Sequence, residues 1–240
     1  MSNAMVYAVQ SMQRDMQTLD VLSHNAANTT TVGFKRQIAS PAFAQHIQNE
    51  GHAETSTSSN RVDSLPLFDF TAGSLRKTGN PLDLAIIGTG FFELQTAQGP
   101  RYSRAGNFHL DAQKRLVNSE GFAVQSDNGD VVLAGDQFDI GADGQIKVDG
   151  RVLGRLKVLE FAVLSQLRKQ DNGLFVATDA AQAKPARVEL QVGHLENANS
   201  QSVREMLNLM ETMRHFEANQ KIVQGYGDMV SMAVQKIGEF

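Results

Sequence analysis

Towards the C-terminus, residues recur at alternating spacings of three and four: Met206, Leu209, Met213, Phe216, Gln220, Val223, Gly227, Val230, Val234 and Ile237. Eight of these ten are apolar, and the column Leu209, Phe216, Val223, Val230, Ile237 is entirely so. Heptad spacing of this kind places one narrow apolar seam along a helix, the pattern of a coiled coil. A helix from Ser202 to Ile237 would be about 54 Å long, more than the width of a compact domain of this size. Gly225 and Gly227 each cost roughly 1 kcal/mol against alanine inside a helix, so a kink or fraying is expected near Tyr226.

The N-terminus offers a partner. Met5, Met12, Leu19 and Ala26 repeat every seven residues, with Val9 and Met16 between them. A helix over residues 4–27 would span about 36 Å. Neither helix carries enough apolar surface to stand alone in water, so the two termini are expected to pair with each other. Ser2-Asn3-Ala4 ahead of Met5 reads as an addition from cloning, with the natural chain starting near Met5.

The middle of the chain has a different period. "DLAII" (83–87), "FFEL" (91–94), "RLKVLEF" (155–161) and "RVELQV" (187–192) read as strands. Asn128-Gly129, Asp143-Gly144, Asp149-Gly150 and Asn172-Gly173 supply the turns that tight hairpins need. No helical pattern separates the strands, which favours antiparallel pairing over a parallel α/β sheet. The fold class is therefore α+β: a mainly antiparallel β centre, with long N- and C-terminal helices pairing as a coiled coil. The divisions are 1–36 (N-terminal helix), 37–79 (linker or extended segment), 80–192 (β-rich outer domain) and 193–240 (C-terminal helix). Within the second, "NEGHAETSTSSNRVDS" (49–64) is polar and free of aromatics, as expected of a linker.

Several function classes are excluded by what the residues lack. The chain has no cysteine, which rules out thiol catalysis, disulfides and cysteine-bound metal. A net charge of −4 without a Lys/Arg block disfavours nucleic acid. No apolar run approaches the ~18 residues of a membrane span, so no lipid insertion is expected. No basic and apolar leader precedes the first helix, so no cleaved signal is expected. "DLAIIGTGFFE" has Gly88 and Gly90 after a strand, but Glu93 replaces the third glycine of a dinucleotide loop and no helix follows. The six histidines share no ligand spacing, and His215 is expected to be solvated, off the seam. Glu196, Glu205, Glu211 and Glu217 read as a solvated face. No catalytic, cofactor or metal site is expected, and the chain is read as no enzyme.

One stretch remains unexplained by a helix cap alone. "HNAANTTTVGFKR" (24–36) runs from helix into amide and hydroxyl residues, then Gly33-Phe34. It resembles the N-terminal signature of the bacterial flagellar rod and hook protein family, through Asn25, Ala27, Asn28, Thr31, Gly33, Phe34 and Lys35. His24 and Ala26 depart from that signature. "NPLDLAIIGTGFFEL" (80–94) is similar to the family's second block through Asn80, Asp83, Ala85, Ile86, Gly88, Gly90, Phe91 and Phe92. "RYSRAGNFHLDAQKRLVNSEG" (101–121) matches a third through Tyr102, Arg104, Gly106, Phe108, Leu116, Val117 and Gly121, with Lys114 where a turn glycine is usual. "LENANSQSVREMLNLMETMRHFEANQKIVQ" (195–224) resembles the C-terminal block through Leu195, Glu196, Asn199, Glu205, Met206, Met210, Arg214, Phe216, Glu217, Ala218, Asn219 and Lys221.

The resemblance implies a structural subunit of the basal-body rod, most like a proximal rod protein, with a distal rod or hook-type subunit as the alternative. It implies that the terminal helices lie near the axis of a helical tube, with the β-domain outside. Implied partners are further copies, other rod proteins and the flagellar type III export apparatus. The expected assembly residues are Met12, Leu19, Asn25, Asn28, Gly33, Phe34, Met206, Leu209, Met213, Phe216, Val223 and Val230. Gly33 is read as the stop of the first helix, where asparagine should substitute better than valine. Two other readings stay open. A ligand-binding or enzymatic β scaffold would show a deep polar pocket, and a coiled-coil adhesin or stalk would self-associate through its C-terminal helix alone.

Overall fold

The computed structural model describes residues 3–39, 67–135, 137–170, 173–187 and 189–238. The expected linker at 49–64 lies outside them. Two compact units are present, one built from the chain's two ends and the other from residues 28–200.

The first unit is a pair of helices, α1 (Asn3–Ala27) and α2 (Ser202–Gly238). No glycine or proline interrupts α1, and it ends at Ala27, one residue short of three consecutive threonines. Those β-branched side chains crowd the preceding turn of a helix. Helix α2 has Glu205 in its first turn and Lys236 in its last, each complementing the helix dipole. It continues unbroken through Gly225 and Gly227. The two helices touch and run antiparallel: Ser11 bonds Asn219, while Asp15, one turn further along α1, reaches back to His215.

The second unit is antiparallel β throughout its named strand pairs. Its core packs Leu84, Phe92, Leu94, Leu116, Val124 and Leu156. A smaller aromatic cluster joins Phe91, Phe161 and Phe175, on which Phe68 and Phe70 pack. Phe68 and Phe175 meet edge-on at 5.5 Å between centroids, as do Phe70 and Phe91 at 5.6 Å. The strands Leu84–Ile86, Val158–Phe161 and Leu190–Val192 fall in three of the runs of β-formers, and Phe91–Thr96 extends two residues past the fourth. Asn128-Gly129 and Asp149-Gly150 close hairpins. Lys114, where a glycine is usual, is itself left-handed at φ 59°.

Chain closure is the feature that builds the site. Leu84–Ile86 pairs with Leu190–Val192, and Leu75–Lys77 pairs with His194–Glu196. Gln37–Ile38 pairs with Leu67–Phe68. Residues 28–39, 67–77 and 194–199 therefore meet although far apart in sequence.

Candidate functional site: a helix pair and a buried charge lock

Along α2 the half-buried positions are Asn208, Leu209, Thr212, Phe216, Asn219, Val223 and Tyr226. The column Leu209–Phe216–Val223 thus faces α1. Its companion column is Thr212–Asn219–Tyr226, not Met206–Met213–Gln220. Met206 is 60% exposed, Met213 46% and Val230 46%. On α1 the inward positions are Ala8, Met12, Leu19 and Leu22, with Ser11, Asp15 and Ala26 beside them, while Met5, Val9 and Met16 are exposed. Both helices show the same offset of one column. A three-four alternation fits two adjacent stripes equally well, and the choice depends on what the other helix presents. His215 is mostly exposed but is not a bystander, since its Nδ1 lies 2.8 Å from Asp15 Oδ2.

The offset leaves a wide apolar surface uncovered. Val203, Met206, Leu207, Met210 and Met213 form one exposed stretch of α2, and Met5, Val6, Val9 and Met16 another on α1.

The second site lies wholly within the 28–200 unit. Lys35, Arg104 and Glu196 are 2%, 3% and 1% exposed. Taking each charge out of water costs several kcal/mol, so burial demands close pairing. Glu196 Oε1 accepts from Lys35 Nζ at 2.6 Å and from the Gly73 amide at 2.9 Å. Its Oε2 stands 3.0 Å from Arg104 Nε, an ion pair whose geometry is not that of a hydrogen bond. Lys35 Nζ also donates to the Thr71 carbonyl at 2.7 Å, and Arg104 donates to the carbonyls of Gly90 at 2.7 Å and Gly88 at 2.9 Å. Burial pushes the Lys35 ammonium below its usual pKa, against the pull of the Glu196 carboxylate. Asn199 completes the lock: its Oδ1 accepts from the Arg36 amide at 2.7 Å and its Nδ2 donates to the Asp69 carbonyl at 2.7 Å.

The 28–36 turn is folded against this lock. Thr31 Oγ1 donates to Asn28 Oδ1 at 3.1 Å, its amide donates to the Asn28 carbonyl, and the Phe34 amide donates to the Thr31 carbonyl. Asn25 and Phe34 are buried, and Lys169 Nζ lies 4.7 Å from the centre of the Phe34 ring. Gly33 does not end a helix, because α1 stops at Ala27. It crosses the backbone of residues 104–105 instead. Its φ is +66°, its amide donates to the Glu196 carbonyl at 2.7 Å, and a Cβ would stand 2.4 Å from the Ala105 nitrogen. The expected advantage of asparagine over valine does not survive that approach, since either side chain would collide with main chain.

Glu196 and Glu205, read as solvated, are both 1% exposed, whereas Glu211 and Glu217 are exposed. The available cue was that the sequence blocks around 24–36, 101–121 and 195–224 each hold one charged member of the lock. The Gly88–Gly90 loop of the remaining block contributes the carbonyls that Arg104 holds. Among the described residues no group of His, Asp and Glu could hold a metal ion, and no helix is long and apolar enough to cross a membrane.

A pair of terminal helices and a separate antiparallel β unit, closed by a buried charge lock, make this a two-unit α+β chain. Residues 85–148 match the model for the flagellar hook protein FlgE/F/G D1 domain, and residues 191–236 match that for the flagellar basal body rod FlgEFG protein C-terminal region. The flagellar basal-body rod protein FlgG of Bacillus subtilis is 30% identical over 249 residues, covering 91% of this chain and 93% of that protein. The rod proteins FlgF of Caulobacter vibrioides and of Rhizobium meliloti are 28% and 27% identical and align over 99% of their own lengths. The chain belongs to the flagellar basal-body rod protein family, a structural and non-enzymatic one.

Proposed function

We propose that the chain is a structural subunit of the bacterial flagellar rod, in its proximal part, which polymerises through its terminal helices into the shaft needed for motility. The observation that carries this is the uncovered apolar surface of α1 and α2. A helix pair that leaves Leu207 56% and Met210 49% exposed buries them when further copies pack around it. Head-to-tail contacts between unlike surfaces build an open helical tube when their rotation does not close into a ring. We take α1 and α2 as a short antiparallel coiled coil whose seam is partly polar. FlgF and FlgG proteins that align over 93% to 99% of their own lengths support a rod subunit. Partners are then other copies and other rod proteins at the basal body. Delivery runs through the flagellar export apparatus.

In this reading Leu209, Phe216, Val223, Met12 and Leu19 hold the pair together. Met206, Met213 and Val230 face neighbouring subunits. Asn25, Asn28, Gly33 and Phe34 shape the exit from α1. The test is Met210→Asp with Met213→Asp in the full chain. Both sites are exposed, so the folded monomer should keep its helicity and the melting of its β unit, while rod completion and motility are lost. Motile cells at normal expression of this variant would overturn the proposal.

A further inference from the structure

Polar groups occupy the middle of a seam whose sequence pattern is apolar. Asn219 sits half-buried between Phe216 and Val223. Its Nδ2 donates to Ser11 Oγ at 3.1 Å and to Asp15 Oδ2 at 3.2 Å, and lies 3.3 Å from His215 Nδ1. Asp15 Oδ2 is also 2.8 Å from that ring nitrogen, and its side chain is only 14% exposed. Two residues of each helix thus satisfy one another across the interface. Apolar contacts above and below this cluster tolerate a slide of one heptad, because Leu, Phe and Val columns repeat every seven residues. The polar cluster does not tolerate it. A slide one way sets Asn219 level with Thr18 and Asp15 level with Ile222, and the other way sets Asn219 level with Ala4 and Asp15 level with Asn208. Each separates the half-buried Asn219 amide or the largely buried Asp15 carboxylate from its present partners, which opposes the slide. A single polar residue in a heptad seam fixes register by this mechanism, at some loss of stability.

We infer that the Ser11–Asp15–His215–Asn219 cluster sets the register of α1 against α2 and is the device that keeps this chain's ends paired in one antiparallel alignment. The inference does not depend on the rod reading, since it concerns the helix pair of the single chain.

The absence of cysteine from the chain makes a clean test. Two cysteine pairs are introduced into the full chain: Ala8→Cys with Val223→Cys, which reports the observed register, and Ala8→Cys with Val230→Cys, which reports a slide of one heptad. Each is combined with Asn219→Leu and Asp15→Leu. These changes make the seam more apolar, so the helices should remain folded, and circular dichroism at 222 nm checks this. In the parent background oxidation should close only the first pair. In the leucine background the first crosslink should fall at least twofold, and the second, or crosslinks between chains, should appear. Asn219→Gln with Asp15 retained should give an intermediate result. Exclusive closure of the first pair in the leucine background would overturn the inference, as would loss of helicity without slipped or interchain crosslinks.

Discussion

Replacing Glu196 with glutamine keeps the shape of the side chain and an acceptor for the Gly73 amide, and removes only the charge. What remains is two buried cations, Lys35 and Arg104, with no anion between them. Breaking a buried pair by removing one partner costs about 3–5 kcal/mol. The structure argues for the lower end. Lys35 would still donate to the Thr71 carbonyl, and Arg104 to the carbonyls of Gly88 and Gly90. A loss of about 3 kcal/mol lowers the melting temperature of a unit this size by roughly 6–12 °C. The lysine adds a pH signature. Its folded pKa lies below the ordinary 10.5, because burial outweighs the carboxylate's pull. At pH between the folded and unfolded values the unfolded chain binds more protons, so stability rises with pH there. Removing the Glu196 charge depresses the folded value further and widens that window downwards. The deficit of Glu196→Gln should therefore shrink as pH is raised towards 10.5, and Lys35→Met in the same background should abolish the trend. The assay is urea unfolding followed by the near-ultraviolet signal of Tyr102, which is buried in the β unit at 8% exposure. A loss below about 1 kcal/mol, or a deficit that grows with pH, would refute the account of the lock.

Two further outcomes follow from the backbone. Gly33→Ala and Gly33→Asn should lower the melting temperature of the β unit alike, because the clash with the Ala105 nitrogen begins at Cβ; tolerance of asparagine alone would mean that φ, not the close approach, is what the glycine provides. Lys114→Gly should be neutral to stabilising, by up to about 1 kcal/mol, since a left-handed residue with a Cβ carries strain that glycine lacks; a loss above about 1 kcal/mol by urea unfolding would show that the lysine side chain contributes there.

The elements that could be read from sequence were those whose information is local. Runs such as Phe91–Thr96 and Leu190–Val192 carry β-formers and fall between turn residues, so both could be placed without knowing their partners. The heptads marked both helices for the same reason. The offset of the seam was not local. Along α2 alone, Met206–Met213 and Thr212–Asn219 flank the Leu209–Phe216 column on either side, and hydrophobicity favours the methionines. Asn219 wins the inner position because Ser11 and Asp15 stand opposite it with the groups that an amide needs. That choice is made by the other end of the chain.

The charge lock was hidden by a related cause. Lys35 and Glu196 are separated by 161 positions and sit in segments without a period. A lone glutamate in such a segment is usually solvated. Only strand closure, which pairs Leu75 with Glu196, carries this carboxylate under the 28–36 turn. Once it is there, burial of one charge forces burial of its partners, and the glycines at 33 and 73 become necessary because main chain must come close enough to donate to residue 196. The lock and the glycines are then a single requirement: neither can be altered without leaving either a stranded charge or a steric collision, which is why Glu196→Gln and Gly33→Ala should both weaken the β unit.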